Sequence, residues 1–148
     1  MSDSVEMLVV RVHDRLAAIA VEDVVETFRP LPTEPLAGAP AFVRGVALVR
    51  GVPTPVVDLA ALLEGHVGVV RGARFVTVRT GDRQVALEVN EVLDVRSLER
   101  DAFSAAPLLQ GAASAAVDTL AALDGELLAV LDAARILASA PAIEAAQL

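Results

Sequence analysis

The chain has 148 residues, a formal charge of −8, 55% hydrophobic residues and only 3% aromatics. That is enough apolar material for a packed aliphatic core in one domain, and it argues against disorder. All twelve basic residues are Arg and there is no Cys, which excludes lysine Schiff bases, thiol chemistry, disulfides and Cys-ligated metals, while the acidity disfavours phosphate backbones and anionic membranes.

Taken along the chain, residues 1–5 read as a frayed tail. Asp3 and Glu6 sit where a signal peptide would carry positive charge, so no leader is expected. Glu6–Val12 and Leu16–Ala20 are β-branched-rich runs around His13-Asp14-Arg15 and predict a hairpin. Val21–Glu26 reads as one short helix. The stretch Arg29–Pro40 holds four of the eight prolines and must be an extended loop. Val46–Arg50 and Thr54–Val57 form the next hairpin. Pro53 and Pro55 cannot donate ladder bonds, so the second of these strands should be an edge or begin after them.

Asp58 precedes a Leu/Ala-rich segment and is a candidate helix N-cap. Glu64–Gly72 reads as a linker. Arg74–Thr80 and Gln84–Val89 flank Gly81-Asp82 as a hairpin. The uncharged run Ala102–Val117 contains Pro107 and Gly111 and is too short to span a bilayer. Val117–Leu123 and Glu126–Leu131 flank Asp124-Gly125, the strongest hairpin signal in the chain. Asp132 is a second N-cap before the helix Ala133–Ser139, which Pro141 stops, and residues 142–148 read as a tail.

The chain is written twice. Leu8-Val-Val-Arg-Val-His-Asp14-Arg15-Leu-Ala-Ala18-Ile19-Ala-Val21 is echoed by Phe75-Val-Thr-Val-Arg-Thr-Gly-Asp82-Arg83-Gln-Val-Ala86-Leu87-Glu-Val89. Gly51-Val-Pro-Thr-Pro-Val-Val-Asp58 through Leu63 is echoed by Gly125-Glu-Leu-Leu-Ala-Val-Leu-Asp132 through Leu137. Two copies of this length do not make a solenoid, so paired small barrels or a sandwich fit better.

Chemistry is hard to assemble from these residues. His13 and His66 lie on turns without ligand spacing, so no metal site is expected. No Ser stands in a nucleophile elbow, and no glycine-rich phosphate loop occurs. The prominent aspartates all have turn or cap roles. Arg50 and Glu26 are charges in apolar surroundings. A buried ion pair would reconcile them with a core, and an Arg at a strand end pointing to water is the plainer reading. A small-ligand barrel and an enzyme remain as minor alternatives to a protein-binding module.

Ala39-Pro40-Ala41-Phe42-Val43-Arg44-Gly45-Val46-Ala47-Leu48-Val49-Arg50-Gly51-Val52-Pro53-Thr54-Pro55-Val56-Val57-Asp58-Leu59 closely resembles the signature of CheW-like chemotaxis coupling proteins. Ile19–Glu26, Val85–Val92 and Leu123–Asp132 are similar to that family as well. The resemblance implies a mainly β fold, two intertwined five-stranded SH3-like barrels with a few short helices. It covers one domain over 6–139, expected as a first barrel over 16–73 and a second over 74–132, with the N-terminal strand and C-terminal helix crossing over.

The resemblance also implies a role. Such proteins are non-catalytic cytoplasmic adaptors, without cofactor or metal, recruited to receptor arrays. They couple the cytoplasmic tips of methyl-accepting chemoreceptors to the regulatory domain of a CheA-type histidine kinase, and neither nucleic acid nor membrane insertion is expected. Carried over by position, Glu26 and Arg50 match an ion pair near the binding surfaces. Val21, Val24 and Leu137 match the lining of a groove for a receptor helix, and Gly45 matches a position near the receptor and kinase surfaces where a side chain is poorly tolerated. Leu48 departs from the pattern, since Asn is usual there. The reading left beside the adaptor is a divergent paralogue that binds receptor or another regulator without recruiting kinase.

Overall fold

A computed structural model describes residues 3–64, 74–99, 104–105 and 117–139. The linker expected over Glu64–Gly72, His66 within it, most of the run Ala102–Val117 and the tail after 141 lie almost wholly outside those residues.

Among the described residues, eleven strands form two sheets. The inner sheet is one contiguous stretch of chain. It holds β3 (Val24–Phe28), β4 (Val43–Val49), β5 (Val52–Asp58), β6 (Arg74–Thr80) and β7 (Arg83–Val89), in the order β3-β6-β7-β5-β4. The outer sheet is assembled from both flanks of that stretch. It holds β1 (Ser4–Val12), β2 (Arg15–Ala20), β8 (Glu91–Glu99), β9 (Ser104–Ala105), β10 (Val117–Leu123) and β11 (Glu126–Leu131), in the order β8-β1-β2-β11-β10-β9.

The division expected at residue 74 is therefore corrected. β6 and β7 pair with β3 and β5, while β1 and β2 pair with β8 and β11. The reason lies in the parallel ladders, Val56↔Ala86 in the inner sheet and Val130↔Ala18 in the outer. Each joins a hairpin from one repeat to a hairpin from the other, so the repeats interlock instead of folding side by side. Among the described residues the outer sheet carries, beside its five longer strands, the two-residue edge strand β9.

Every hairpin expected from turn chemistry forms. Asp124 and Gly125 have φ of 51° and 82°, and Arg50 and Gly51 have φ of 50° and 78°, the paired positive values of a tight hairpin turn. Ser4 and Val5 are not frayed, since they pair with Glu99 and Leu98. The helix expected over Val21–Glu26 is also corrected. Only Val21–Asp23 turns, as a 3-10 segment, and Val24 begins β3. Val24-Val25-Glu26-Thr27-Phe28 has the β-branched character of a strand, and β6 offers it a ladder.

Three apolar clusters hold the sheets together. Leu8, Val10, Val12, Ala17 and Ile19 of the outer sheet meet Val57, Val76, Val78 and Leu87 of the inner sheet in a shared core. The opposite faces of the same strands fill the two modules separately. Met7, Val9, Leu16 and Ala18 pack inside the outer one, and Val56, Phe75 and Ala86 inside the inner one. Strands buried on both faces read as continuous apolar runs, and this explains why β1 and β2 show so little polar alternation.

Two short helices follow corresponding strands, α1 (Leu59–Glu64) after β5 and α2 (Ala133–Ser139) after β11. Asp58 Oδ1 accepts from Ala61 N at 3.2 Å, and Asp132 Oδ1 accepts from Ala134 N at 2.9 Å and Arg135 N at 3.2 Å. Both expected N-caps are present. α2 places Ile136 and Leu137 in the shared core, against β6. Among the described residues, no helix is long and apolar enough to cross a membrane.

Candidate functional site

The residues singled out by sequence fall into three places. The first is the Glu26–Arg50 pair. Arg50 occupies the left-handed position of the β4–β5 turn, and Glu26 sits on β3. Arg50 Nε donates to Glu26 Oε1 at 2.9 Å and Nη2 donates to Oε2 at 2.8 Å, a bidentate fork. The pair is not buried, because the Arg50 side chain is 79% exposed. The guanidinium holds the Glu26 carboxyl below the usual glutamate range, and the carboxylate raises Arg50 in turn.

The second place is the turn from β2 into β3. Val21 is exposed, whereas Val24 is half-buried and packs on the shared core. Leu137 belongs to that same core and is only 3% exposed. It therefore supports this region from beneath and does not line an open groove. Beside it, burial pushes the Asp23 carboxyl up, and the like charges of Glu22 and Asp132 add to the effect. The influence of Asp132 shows that the turn lies near the N-terminus of α2.

The third is Gly45, with φ 148°. A Cβ there would overlap the main chain of Glu34, 2.6 Å from its carbonyl carbon and 2.9 Å from Pro35 Cα. Glu34 is held in place by a two-way bridge: its N donates to Val46 O at 2.9 Å, and Val46 N donates to Glu34 O at 2.8 Å. The intolerance of a side chain at this position has a packing cause. The proline-rich loop lies directly on β4.

Sequence reasoning missed two features. Arg44 stands at a register shift between Val43 and Gly45, where the pairing with Val57 and Val56 skips one residue. Such a bulge re-aims a side chain. It turns the guanidinium inward, so that Nη2 donates to Asp58 Oδ2 at 3.1 Å and Nε donates to Glu88. All three side chains are nearly buried, Arg44 being 13% exposed. One Arg between two carboxylates is thus the buried ion cluster, in place of the Glu26–Arg50 pair. A signal was available: Glu88 interrupts the apolar run of β7, a strand otherwise buried on both faces from Val85 to Val89.

The other missed feature is an apolar groove of about 330 Å³, where Leu63 of α1 meets the outer sheet. Leu16, Val117, Leu120 and Leu127 line it, and Asp14, Arg15 and Glu126 stand at its rim. Leu127 is 66% exposed, the highest value among the large exposed apolar side chains described. Leu48 is comparably open at 62%, so the departure from the usual Asn falls on the exposed face of β4. His13 takes a positive φ and its main-chain N donates to Asn90 Oδ1 at 2.7 Å, which makes it a turn residue. Among the described residues, no three His, Asp or Glu side chains gather as metal ligands would.

A family model described as CheW-like domain matches residues 6–141. The crystal structure of scaffolding protein TtCheW from Thermoanaerobacter tengcongensis is similar at a TM-score of 0.76 and 20% identity, covering 89% of this chain and 90% of that one. The fold is accordingly the mainly β pair of SH3-like barrels expected from the signature, with the shared core between them.

Proposed function

The chain belongs to the CheW-like domain family, a family of scaffolding proteins, and on that premise we propose that it is a non-catalytic adaptor coupling chemoreceptors to a CheA-type histidine kinase. The observation that carries the docking part of this reading is the apolar groove beneath Leu127. Helix-in-groove binding needs an aliphatic trough with a charged rim, and a receptor's helical tip is the occupant we assign to it. Val21 and Val24 form a second proposed contact, held in position by the core around Leu137. Gly45 is assigned to keep the proline-rich loop flat against β4, beside the surface carrying Glu26 and Arg50. The kinase regulatory domain is assigned to the barrel edges, and recruitment to cytoplasmic receptor arrays follows from these two contacts together.

Co-sedimentation with the cognate receptor fragment and kinase tests the reading. Leu127→Asp should weaken receptor binding about tenfold, since it places a charge in a desolvated contact, while kinase binding stays intact. If Val21→Asp weakens it instead, the turn before β3 is the docking surface. A wild-type chain that bound neither partner would overturn the adaptor reading. Receptor binding without kinase binding would favour the divergent paralogue, with the exposed Leu48 as its mark.

A further inference from the structure

We infer that the end of the inner sheet is a binding cleft for an extended acidic segment of a partner protein. The cleft, about 660 Å³, opens between the tips of the β4–β5 and β6–β7 hairpins. Its origin is in the sequence. Pro53 and Pro55 cannot donate to a neighbouring strand, and the parallel ladder between β5 and β7 begins only beyond them, at Val56↔Ala86. Before that point the strands have no register across the gap, although β7 remains paired with β6 through Arg83↔Thr80, Gln84↔Arg79 and Val85↔Val78.

Side chains span the gap. Thr54 is fully buried at the floor, where its Oγ1 donates to Val52 O at 2.9 Å and accepts from Gln84 Nε2 at 3.3 Å. Gln84 Oε1 accepts from Arg79 Nη2 at 3.3 Å. The floor is therefore a connected polar network that ends on an exposed guanidinium.

Charge selects the ligand. The chain carries −8 overall, yet Arg50, Arg79 and Arg83 line this cleft against two acids, Glu26 and Asp82. Glu26 and Arg50 neutralise each other, which leaves Arg79 and Arg83 beside Asp82, a local surplus of one positive charge. Screening confines charge effects to about 8 Å at physiological ionic strength, so the local excess of arginine outweighs the distant net charge. Arginine forks suit carboxylates, and a gap between two splayed strands suits an extended chain.

Fluorescence anisotropy with a labelled oligoglutamate peptide tests this on the full chain. Arg79→Glu/Arg83→Glu should weaken binding about tenfold or more. Arg29→Glu/Arg74→Glu makes the same charge change at the opposite end of the inner sheet and should leave binding within about twofold. Should the first double variant fold poorly by circular dichroism, Arg79→Gln/Arg83→Gln carries the test and should still weaken binding severalfold. No binding by the wild type, equal weakening by both pairs, or tighter binding of a single-stranded oligonucleotide than of the peptide would each overturn the inference.

Discussion

The two corners where a strand runs into a helix, β5 into α1 and β11 into α2, are repeats of one design that ended differently. Each has an Asp N-cap, at 58 and 132. Each has a register shift at the matching place on the preceding strand, between Val43 and Gly45 and between Val117 and Thr119. Each lies on a parallel ladder, Val56↔Ala86 and Val130↔Ala18. The bulged residue is Arg44 in one and Asp118 in the other, and the position two beyond Ala86 is Glu88 while that beyond Ala18 is Ala20. In the first corner the cap is sealed in with Arg44 and Glu88. In the second the cap stays half open, with Arg135 at 3.7 Å as its ion partner. The same backbone devices thus seal the cap into a buried ion cluster at the first corner and leave it half-exposed at the second.

The largest expected effect breaks the first corner. Arg44→Met strands two nearly buried carboxylates and should cost about 3–5 kcal/mol, read by urea unfolding. A loss below about 1 kcal/mol would mean the cluster is solvated and the corners are equivalent after all.

A smaller effect sharpens the contrast between caps. Asp132→Ala removes a cap that accepts two main-chain donors and should cost about 1 kcal/mol. Asp58→Ala should cost more, because it also deprives Arg44 of a partner. Equal losses in thermal unfolding would deny the buried cluster any role at the cap.

The smallest effect concerns the exposed pair. Arg50→Ala should leave the unfolding temperature nearly unchanged, because solvent screens that contact. Its signature is in titration. With the folded carboxyl lowered, the pair's contribution is complete above the unfolded glutamate value, about 4.3, and is lost as pH falls through the folded value. Carbon-detected NMR should place the Glu26 midpoint below that reference, returning to it in Arg50→Ala. A midpoint already at the reference in the wild type would mean the fork does not persist in solution.

Much of the molecule is legible in the sequence because its signals are local. Asp124-Gly125 fixes a turn within two residues, and Asp58 and Asp132 cap helices within three. The repeat and the signature from Ala39 to Leu59 state the family. Pro53 and Pro55 point to an edge strand or one that begins after them, and here the sequence misleads: β5 starts at Val52 and lies between β4 and β7, with only its ladder to β7 delayed until Val56. What the sequence could not state depends on partners far along the chain. Val24–Phe28 became a strand because β6 was there to pair with it, and Arg44 turned inward because Glu88 and Asp58 met at one register of a parallel ladder. Leu137 went into the core because α2 packs against β6 of the inner sheet, and Leu127 opens on a groove because α1 brings Leu63 to the outer sheet. The sequence by itself determined the turns, caps, repeat and family. Only the tertiary structure decided which hairpins share a sheet and which charges are sealed from water, because long-range pairing and burial depend on the neighbours each strand finds and not on its own residues.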